Sequence, residues 1–237
     1  MARFFRKIRF NSIEKKKVGK YLKYAFGEVI LVVLGILIAL SINNWNDRRV
    51  FKNKVFSQLK TLSKELGDDI GSFEDITFKL PSKIHYLKQL SKGNYEGLDL
   101  SRFLYNVAAS GRVVSYGEAY KILINNGGIN IIENDKLRNN LVVYNDRIRP
   151  LINETIAYKS KAALSYMDEM VLTQLEYDST NQLVEANTIK VIKEKKLNTL
   201  INHQLSSLTS HLEVLKVTIG FAEKVKDDLD NYLKQVK

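Results

Sequence analysis

An uninterrupted apolar run near the amino terminus constrains this chain more than any other feature. From Val29 to Leu40 it consists only of Val, Ile, Leu, Ala and Gly, and with its flanks it extends from Ala25 to Trp45. An α-helix needs about 20 such residues to cross roughly 30 Å of hydrocarbon. The run therefore predicts a transmembrane helix at residues 25–45, with the buried core helix of a soluble protein as the alternative.

The residues that flank this run predict its orientation. Tyr21, Tyr24 and Trp45 stand at its two ends, and such rings prefer the headgroup region of a bilayer. Residues 1–24 form a basic arm in which nine cations face Glu14 alone, so its net charge is +8. Because a strongly cationic flank stays in the cytoplasm, residues 46–237 are predicted to lie on the far side of the membrane.

The cations of the arm also predict a contact with lipid. Anionic headgroups attract such residues by about 1 kcal/mol per cation. The predicted headgroup contacts are Arg3, Arg6, Lys7, Arg9, Lys15, Lys16, Lys17, Lys20 and Lys23. A cleaved signal peptide is the alternative interpretation, since Ala39-Leu40-Ser41 resembles a weak cleavage site. The length of the arm and the polar residues that follow the span favour an anchor.

Two features within the span are candidates for function. Glu28 lies one turn inside its cytoplasmic end, and a carboxylate in hydrocarbon costs a few kcal/mol unless it has a compensating role. Snorkelling beside Lys20 or Lys23 is the simpler interpretation of Glu28. Gly35 and Ala39 form a small-xxx-small pair, which favours close contact between two helices.

Composition limits the classes of function. The net charge of the chain is +11, of which the arm holds +8 and the other 213 residues only +3. This local basicity argues against nucleic acid as a partner and for attraction to a lipid surface. The absence of cysteine removes disulfides, thiolate metal sites and cysteine nucleophiles. Only Pro81 and Pro150 interrupt the chain, which favours long helices.

Helical periodicity dominates the first part of residues 46–237. Apolar residues recur at steps of three and four from Phe51 to Leu80, which predicts a stalk that continues the membrane helix. Pro81 predicts a break or a new first turn, with a second short helix from Ser82 to Leu90. Loop residues at positions 91–94 are expected to end that helix.

Further helices are predicted in the middle of the chain. Asp99 or Ser101 is expected to cap one of them, a second fits Tyr116 to Asn126, and residues 133–135 are a good start for a third. Pro150 lies inside this third helix and predicts a kink near residues 146–149.

A seven-residue apolar repeat marks the last segment. It runs from Ile201 to Ala222 and then shifts phase toward Val236. Such a coiled-coil-like stripe predicts packing within a bundle or against another copy. The sequence as a whole therefore predicts an all-α protein, with a single transmembrane helix, a stalk and an antiparallel extracytoplasmic helical bundle at residues 46–237.

No arrangement of reactive residues predicts catalysis, and we expect no catalytic, cofactor-binding or metal-binding site. His203 and His211 are about 12 Å apart along a helix, too far to share a metal, and with His85 they are expected at the surface or its boundary. The pairs Asp68-Asp69 and Asp227-Asp228 are expected on solvated helix faces.

The functional hypotheses concern binding. The leading one is a non-enzymatic scaffold or interaction module that binds a partner protein, another envelope protein or a second copy of itself. The alternative is a small-molecule sensor that needs a separate signalling partner, since aromatic hydroxyls line ligand grooves as well as cores. The tyrosines concerned are Tyr105, Tyr116, Tyr120, Tyr144, Tyr158 and Tyr166.

Residues of the amino-terminal region also carry a resemblance. They are Phe4–Arg9, Gly19–Ala25, Gly27-Glu28 and the run LVVLGILIALSINNWN that begins at Leu31. They resemble the signature of a large bacterial family of single-pass membrane proteins of unknown function, and residues 120–123, 127–132 and 137–144 resemble its middle section more loosely. The resemblance implies a bacterial inner-membrane protein with a cytoplasmic amino terminus and a periplasmic domain. It implies no activity, and it gives Glu28 slightly more weight.

Overall fold

The protein is described by a computed structural model that covers residues 18–108, 117–155, 161, 165 and 173–236. The chain divides into two compact units, Met1–Lys54 and Val55–Lys237. All regular elements of the described residues are helical, and the one β-type pairing among them is a bridge between Tyr177 and Leu183. The predicted all-α class is therefore confirmed.

Helix α1 runs from Val18 to Ser91, a length of 74 residues. It contains a segment that is long and apolar enough to cross a membrane, and no residue of its most apolar window is buried. The predicted end of the helix is confirmed, because Gly93 adopts a left-handed conformation with φ of +74°. Its backbone N–H donates to the carbonyl of Leu90 at 3.0 Å, which helps to close the helix end.

The predicted break at Pro81 is wrong, because α1 continues through the proline and no separate helix begins at Ser82. Proline inside a helix removes one backbone hydrogen bond and costs about 3 kcal/mol. The buried stripe continues in phase across it, with Ile76 and Leu80 before the proline and Leu87 and Leu90 after it. Burial of each such side chain contributes roughly 1.5–3 kcal/mol, so packing outweighs the local cost.

Short helices follow a loop. A 3₁₀ turn at Leu100–Arg102 leads into α2, Phe103–Ala108, and the Asp99 carboxylate accepts a hydrogen bond from the N–H of Ser101 at 3.1 Å. The predicted cap at Asp99 is thus confirmed. Helix α3 spans Glu118–Asn125, and Gly127 follows it with φ of +72°, the left-handed position expected after a helix.

The next helical region contains the second proline. After a 3₁₀ turn at Gly128–Ile131, helix α4 spans Asp135–Val143, and the Asn134 side chain caps it by accepting the N–H of Leu137 at 3.0 Å. A π-helical turn follows at Tyr144–Ile148, and residues 149–155 are α-helical again. The disturbance predicted before Pro150 therefore takes the form of a π turn, in which each N–H reaches back five residues.

The carboxyl-terminal part of the second unit begins after the polar turn predicted near residues 178–182. There the Asp178 carboxylate accepts the N–H groups of Thr180 and Gln182 at 2.8 and 3.0 Å. Helix α5 spans Glu185–Ile192, and helix α6 spans Lys195–Gln235. The stripe predicted for α6 is only partly confirmed. Its positions Ile201, Leu208, Leu215 and Ala222 are buried, whereas the stripe positions between them are half-buried. The fully buried line of α6 also passes through the polar residues Gln204, His211 and Thr218.

One hydrophobic core holds the second unit together. It includes residues from α1, the short helices and α6. Helices α1 and α6 lie side by side in this unit. The Ser63 hydroxyl donates to the Asp230 carboxylate, and Lys226 approaches Gly67 so closely that its Cε would lie 3.4 Å from a Cβ added there.

Candidate functional site

A cluster of buried polar groups is centred on Asp69 of α1. The Arg149 guanidinium donates to its Oδ2 atom twice, from Nε at 2.9 Å and from Nη2 at 2.6 Å. The two side chains are only 4% and 6% exposed, and they are 80 residues apart in sequence. The prediction that Asp69 lies on a solvated face is wrong, whereas its neighbour Asp68 is exposed as expected.

The π turn brings two further residues to this pair. The Tyr144 hydroxyl donates to Asp69 Oδ2 at 2.8 Å, and the Asn145 side-chain oxygen accepts from Arg149 Nη1 at 2.6 Å. Residues five apart lie on different faces of an α-helix, but a π turn stacks them. Here the N–H of Arg149 donates to the carbonyl of Tyr144, so both side chains reach one carboxylate.

The Tyr144 hydroxyl is held in its protonated form. Burial, and then the neighbouring Asp69 carboxylate, raise the pKa of the Tyr144 hydroxyl well above its ordinary value. Tyr144 therefore remains a proton donor at physiological pH. Two buried charges lose much hydration energy, and a pair of this kind is maintained by its hydrogen bonds as much as by Coulomb attraction.

A second carboxylate extends the cluster toward α3. Glu65 lies one turn before Asp69 on α1, and its Oε1 atom accepts the backbone N–H of Ala119 at 3.1 Å. That N–H belongs to the first turn of α3, where a negative charge is favourable. Nearby, the Tyr120 hydroxyl donates to Asp146 Oδ2 at 2.8 Å, and burial and then this hydrogen bond raise its pKa. These contacts fix the start of α3 against α1 and the π turn.

Gly117 lies in a left-handed conformation next to the Arg149 guanidinium. Its φ is +58°, and a Cβ added to it would lie 2.4 Å from Arg149 Nη1. We expect Gly117→Ala to lower the free energy of unfolding by about 3 kcal/mol, through left-handed strain and displacement of the guanidinium. Gly97 is the matched control, since its φ is +77° and nothing described lies within 4 Å of an added Cβ.

Gly97→Ala should therefore lower the free energy of unfolding by the left-handed backbone strain alone, which is about 1–2 kcal/mol. Denaturant unfolding of the full chain in detergent, followed by circular dichroism, measures both values. Equal losses for the two variants would contradict the proposed contact between position 117 and Arg149.

Three of the six predicted tyrosines belong to the described residues, and they make different contacts. Tyr105 is 66% exposed, and Tyr120 and Tyr144 donate to two different carboxylates. Tyr116, Tyr158 and Tyr166 lie outside the described residues. The small-molecule sensor therefore stays a prediction.

Other predicted residues are scattered. His85 and His203 are exposed, but His211 is buried, which corrects its expected place at the surface or boundary, and its position in the buried line of α6 is the reason. Asp227 is exposed and Asp228 half-buried. No three His, Asp or Glu side chains of the described chain could together hold a metal ion.

The candidate residues of the span lie along α1. Glu28 is half-buried, Ala39 is exposed, and nothing described lies within 4 Å of a Cβ added at Gly35. Of the predicted headgroup contacts, Lys20 and Lys23 belong to α1 and Lys23 is exposed. The other seven lie outside the described residues: Arg3, Arg6, Lys7, Arg9, Lys15, Lys16 and Lys17.

Lys83 provides a pH-dependent prediction. Its ammonium group lies 5.5 Å from the centre of the Tyr105 ring, and burial lowers its pKa from 10.5 to about 8. Between these two values Lys83 binds more proton in the unfolded chain than in the folded one, so the contribution of Lys83 to the free energy of unfolding should rise with pH in this window. We expect Lys83→Met to remove that rise, measured as denaturant midpoints at a series of pH values.

Lys88 is an exposed lysine of the same helix and supplies the control. Lys88→Met should keep the difference in denaturant midpoint that the unmodified chain shows between the two ends of the pH window. A profile for Lys83→Met that matches the unmodified chain would contradict the prediction.

Sequence reasoning missed the ion pair, although one signal was present. The buried stripe of α1 runs through Leu62, Leu66, Asp69, Phe73 and Ile76, in steps of four and three. A carboxylate in such a stripe indicates a buried partner, because an unpaired buried charge is very costly. The apolar neighbour Ile70 is only half-buried, so the step of three to Asp69 is the one that follows the core.

No protein-family model matches this chain, and neither a curated protein nor a solved structure matches it. Its function is therefore inferred from its own residues.

Proposed function

We propose that this chain is a membrane-anchored helical module that acts by binding a partner protein or a second copy of itself, without catalysis of its own. The observation that carries the anchor is the exposure of α1. Every residue from Val29 to Lys54 is exposed in the described structure, including the whole apolar run. Exposure of so large an apolar surface to water on all sides of a helix is unfavourable. The hydrocarbon of a bilayer would cover this surface, and a helix pairs its own backbone groups there.

The orientation follows from the flanks of the span. The arm of net charge +8 supports a cytoplasmic amino terminus, and Trp45 supports a headgroup position at the other end. The second unit is then extracytoplasmic. The resemblance of the amino-terminal residues to a bacterial single-pass family supports the inner membrane as its location and the periplasm as the compartment of this unit.

The proposed bundle is antiparallel. Ser63 contacts Asp230, whereas Gly67, four residues later on α1, adjoins Lys226, four residues earlier on α6. The residue number of the contacting position increases along α1 while it decreases along α6, which supports opposite directions of the two helices. A bundle with a closed core and a buried ionic cluster suits a rigid binding module.

The interaction role is supported by the outer face of α6. Val214 and Val217 are 47% and 76% exposed and lie next to each other on the helix, with half-buried Phe221 one turn further on. A photo-crosslinking residue at position 217 should therefore capture a neighbouring protein in native membranes. The same residue at the exposed position Thr209 is the control, and equal or absent capture at both positions would contradict this face as the contact.

The absence of cysteine from the sequence provides a direct test of the anchor and its orientation. Single cysteines introduced as Ser12→Cys in the arm and Ser206→Cys in the second unit can be labelled in intact spheroplasts with an impermeant maleimide. We expect labelling at position 206 only, and at both positions after lysis. Labelling of position 12 in intact spheroplasts would overturn the orientation, and solubility of both variants without detergent would overturn the anchor.

A further inference from the structure

A basic face follows the apolar run on helix α1. At 100° per residue, Trp45, Arg48, Arg49 and Lys52 lie within an arc of about 100°, and all four are exposed. Asp47 is the acidic residue of this segment, and it lies on the opposite side of the helix. There it accepts a hydrogen bond from Asn43 Nδ2 at 3.0 Å. We call the four residues Trp45, Arg48, Arg49 and Lys52 the basic face.

The cations of the basic face are free to bind an anion. Its three cations, Arg48, Arg49 and Lys52, form no ion pair with another described residue. Arg49 is held in place by weaker contacts, because its Cζ atom lies 5.2 Å from the centre of the Trp45 ring and Nη2 lies 3.5 Å from the Asn46 side-chain oxygen. A guanidinium stacked on an aromatic ring keeps its donors directed outward.

The same side of the helix continues into the apolar run. Leu31, Leu34 and Ile38 lie within about 40° of Trp45 in helical angle, and they are 60%, 47% and 60% exposed. An acyl chain can therefore follow these residues while a phosphate meets the cations. The headgroup layer is about 5–8 Å thick on each side of the hydrocarbon, and Arg48 to Lys52 lie about 5–11 Å beyond Trp45 along the helix.

We propose that the basic face binds the phosphate of an anionic phospholipid, such as phosphatidylglycerol, in the leaflet on the far side from the arm. This proposal rests on the proposed membrane anchor, but it assigns a lipid contact that the arm cannot make, since the arm lies at the other end of the span. Arg48 and Arg49 supply forked donors that match a phosphate, Lys52 adds a point charge, and Trp45 packs at the glycerol level. Each cation near the lipid surface favours binding by about fivefold.

The tryptophan of this face permits a direct test, because Trp45 is the only tryptophan of the chain. The full-length protein is reconstituted into phosphatidylcholine vesicles that contain a minor fraction of phosphatidylglycerol. Bromine atoms near the carbonyl end of the acyl chains are placed on one lipid or on the other, and they quench the fluorescence of a nearby tryptophan. We expect brominated phosphatidylglycerol to quench Trp45 at least about twofold more than an equal fraction of brominated phosphatidylcholine.

Two sets of variants assign the effect to a surface. The combined variant Arg48→Gln, Arg49→Gln and Lys52→Gln should abolish the preference for phosphatidylglycerol. Lys54→Gln, an exposed cation on the opposite face, and the arm variant Lys15→Gln, Lys16→Gln and Lys17→Gln should keep it.

Equal quenching by the two lipids would overturn the lipid site while leaving the anchor intact. A preference that survives the combined variant, or that disappears in the arm variant, would also overturn it. A lack of quenching by either lipid would overturn the proposed anchor as well, so the two failures are distinguishable.

Discussion

Replacement of Asp69 by alanine is expected to lower the free energy of unfolding by about 3–5 kcal/mol. The change leaves the Arg149 guanidinium buried, at 6% exposure, without its carboxylate. It also removes the acceptor of the Tyr144 hydroxyl, which is fully buried. The expected loss is large because a charge and a donor remain away from water without their partner. Urea unfolding of the full chain in detergent, followed by circular dichroism, measures it.

The neighbouring residue provides the control for this experiment. Asp68 has the same charge but is exposed, so Asp68→Ala should change stability by less than about 0.5 kcal/mol. The double variant Asp69→Leu with Arg149→Met should be more stable than Asp69→Ala, because an apolar pair leaves no buried charge without its partner. An Asp69→Ala variant as stable as Asp68→Ala would show that the cluster does not hold the unit together.

Two aspartates in the centre of the span are expected to abolish membrane insertion. Leu34→Asp together with Leu37→Asp should cost about 5–7 kcal/mol, since each carboxylate at the middle of a membrane helix costs about 2.5–3.5 kcal/mol. A cost of this size reverses the partition between bilayer and water by more than about a thousandfold. The measurement is the fraction of the chain that resists carbonate extraction from membranes.

The outer face of α6 supplies a matched control. Val214 and Val217 have the same spacing as Leu34 and Leu37, and they are also exposed. Val214→Asp with Val217→Asp should therefore leave the chain in the membrane fraction. Carbonate resistance of the Leu34 and Leu37 variant would contradict the proposed span and would favour an apolar surface covered by protein instead.

The two prolines affect the helices that contain them in different ways. Both were expected to disturb a helix, and Pro150 does follow a π turn, whereas α1 runs through Pro81 without a break. The difference lies in packing. The stripe beside Pro81 stays in phase and remains buried, but the turn before Pro150 changes phase so that Tyr144 and Arg149 can both reach Asp69.

The sequence by itself determined the features that depend on local pattern. The apolar run, the cap at Asp99, the helix start at residues 133–135 and the turn at Gly93 can each be recognised because a few neighbouring residues fix the backbone or the apolar face. These features sufficed for the helical class and for the helix that can span a membrane.

Only the tertiary structure decided the composition of the buried cluster. Asp69 and Arg149 are 80 residues apart, and the sequence around either residue does not identify the other as its partner. Their meeting depends on the π turn and on the close approach allowed by Gly117. A buried charge is tolerated only where the fold supplies its partner, and that partner is a property of the folded chain, not of the local sequence.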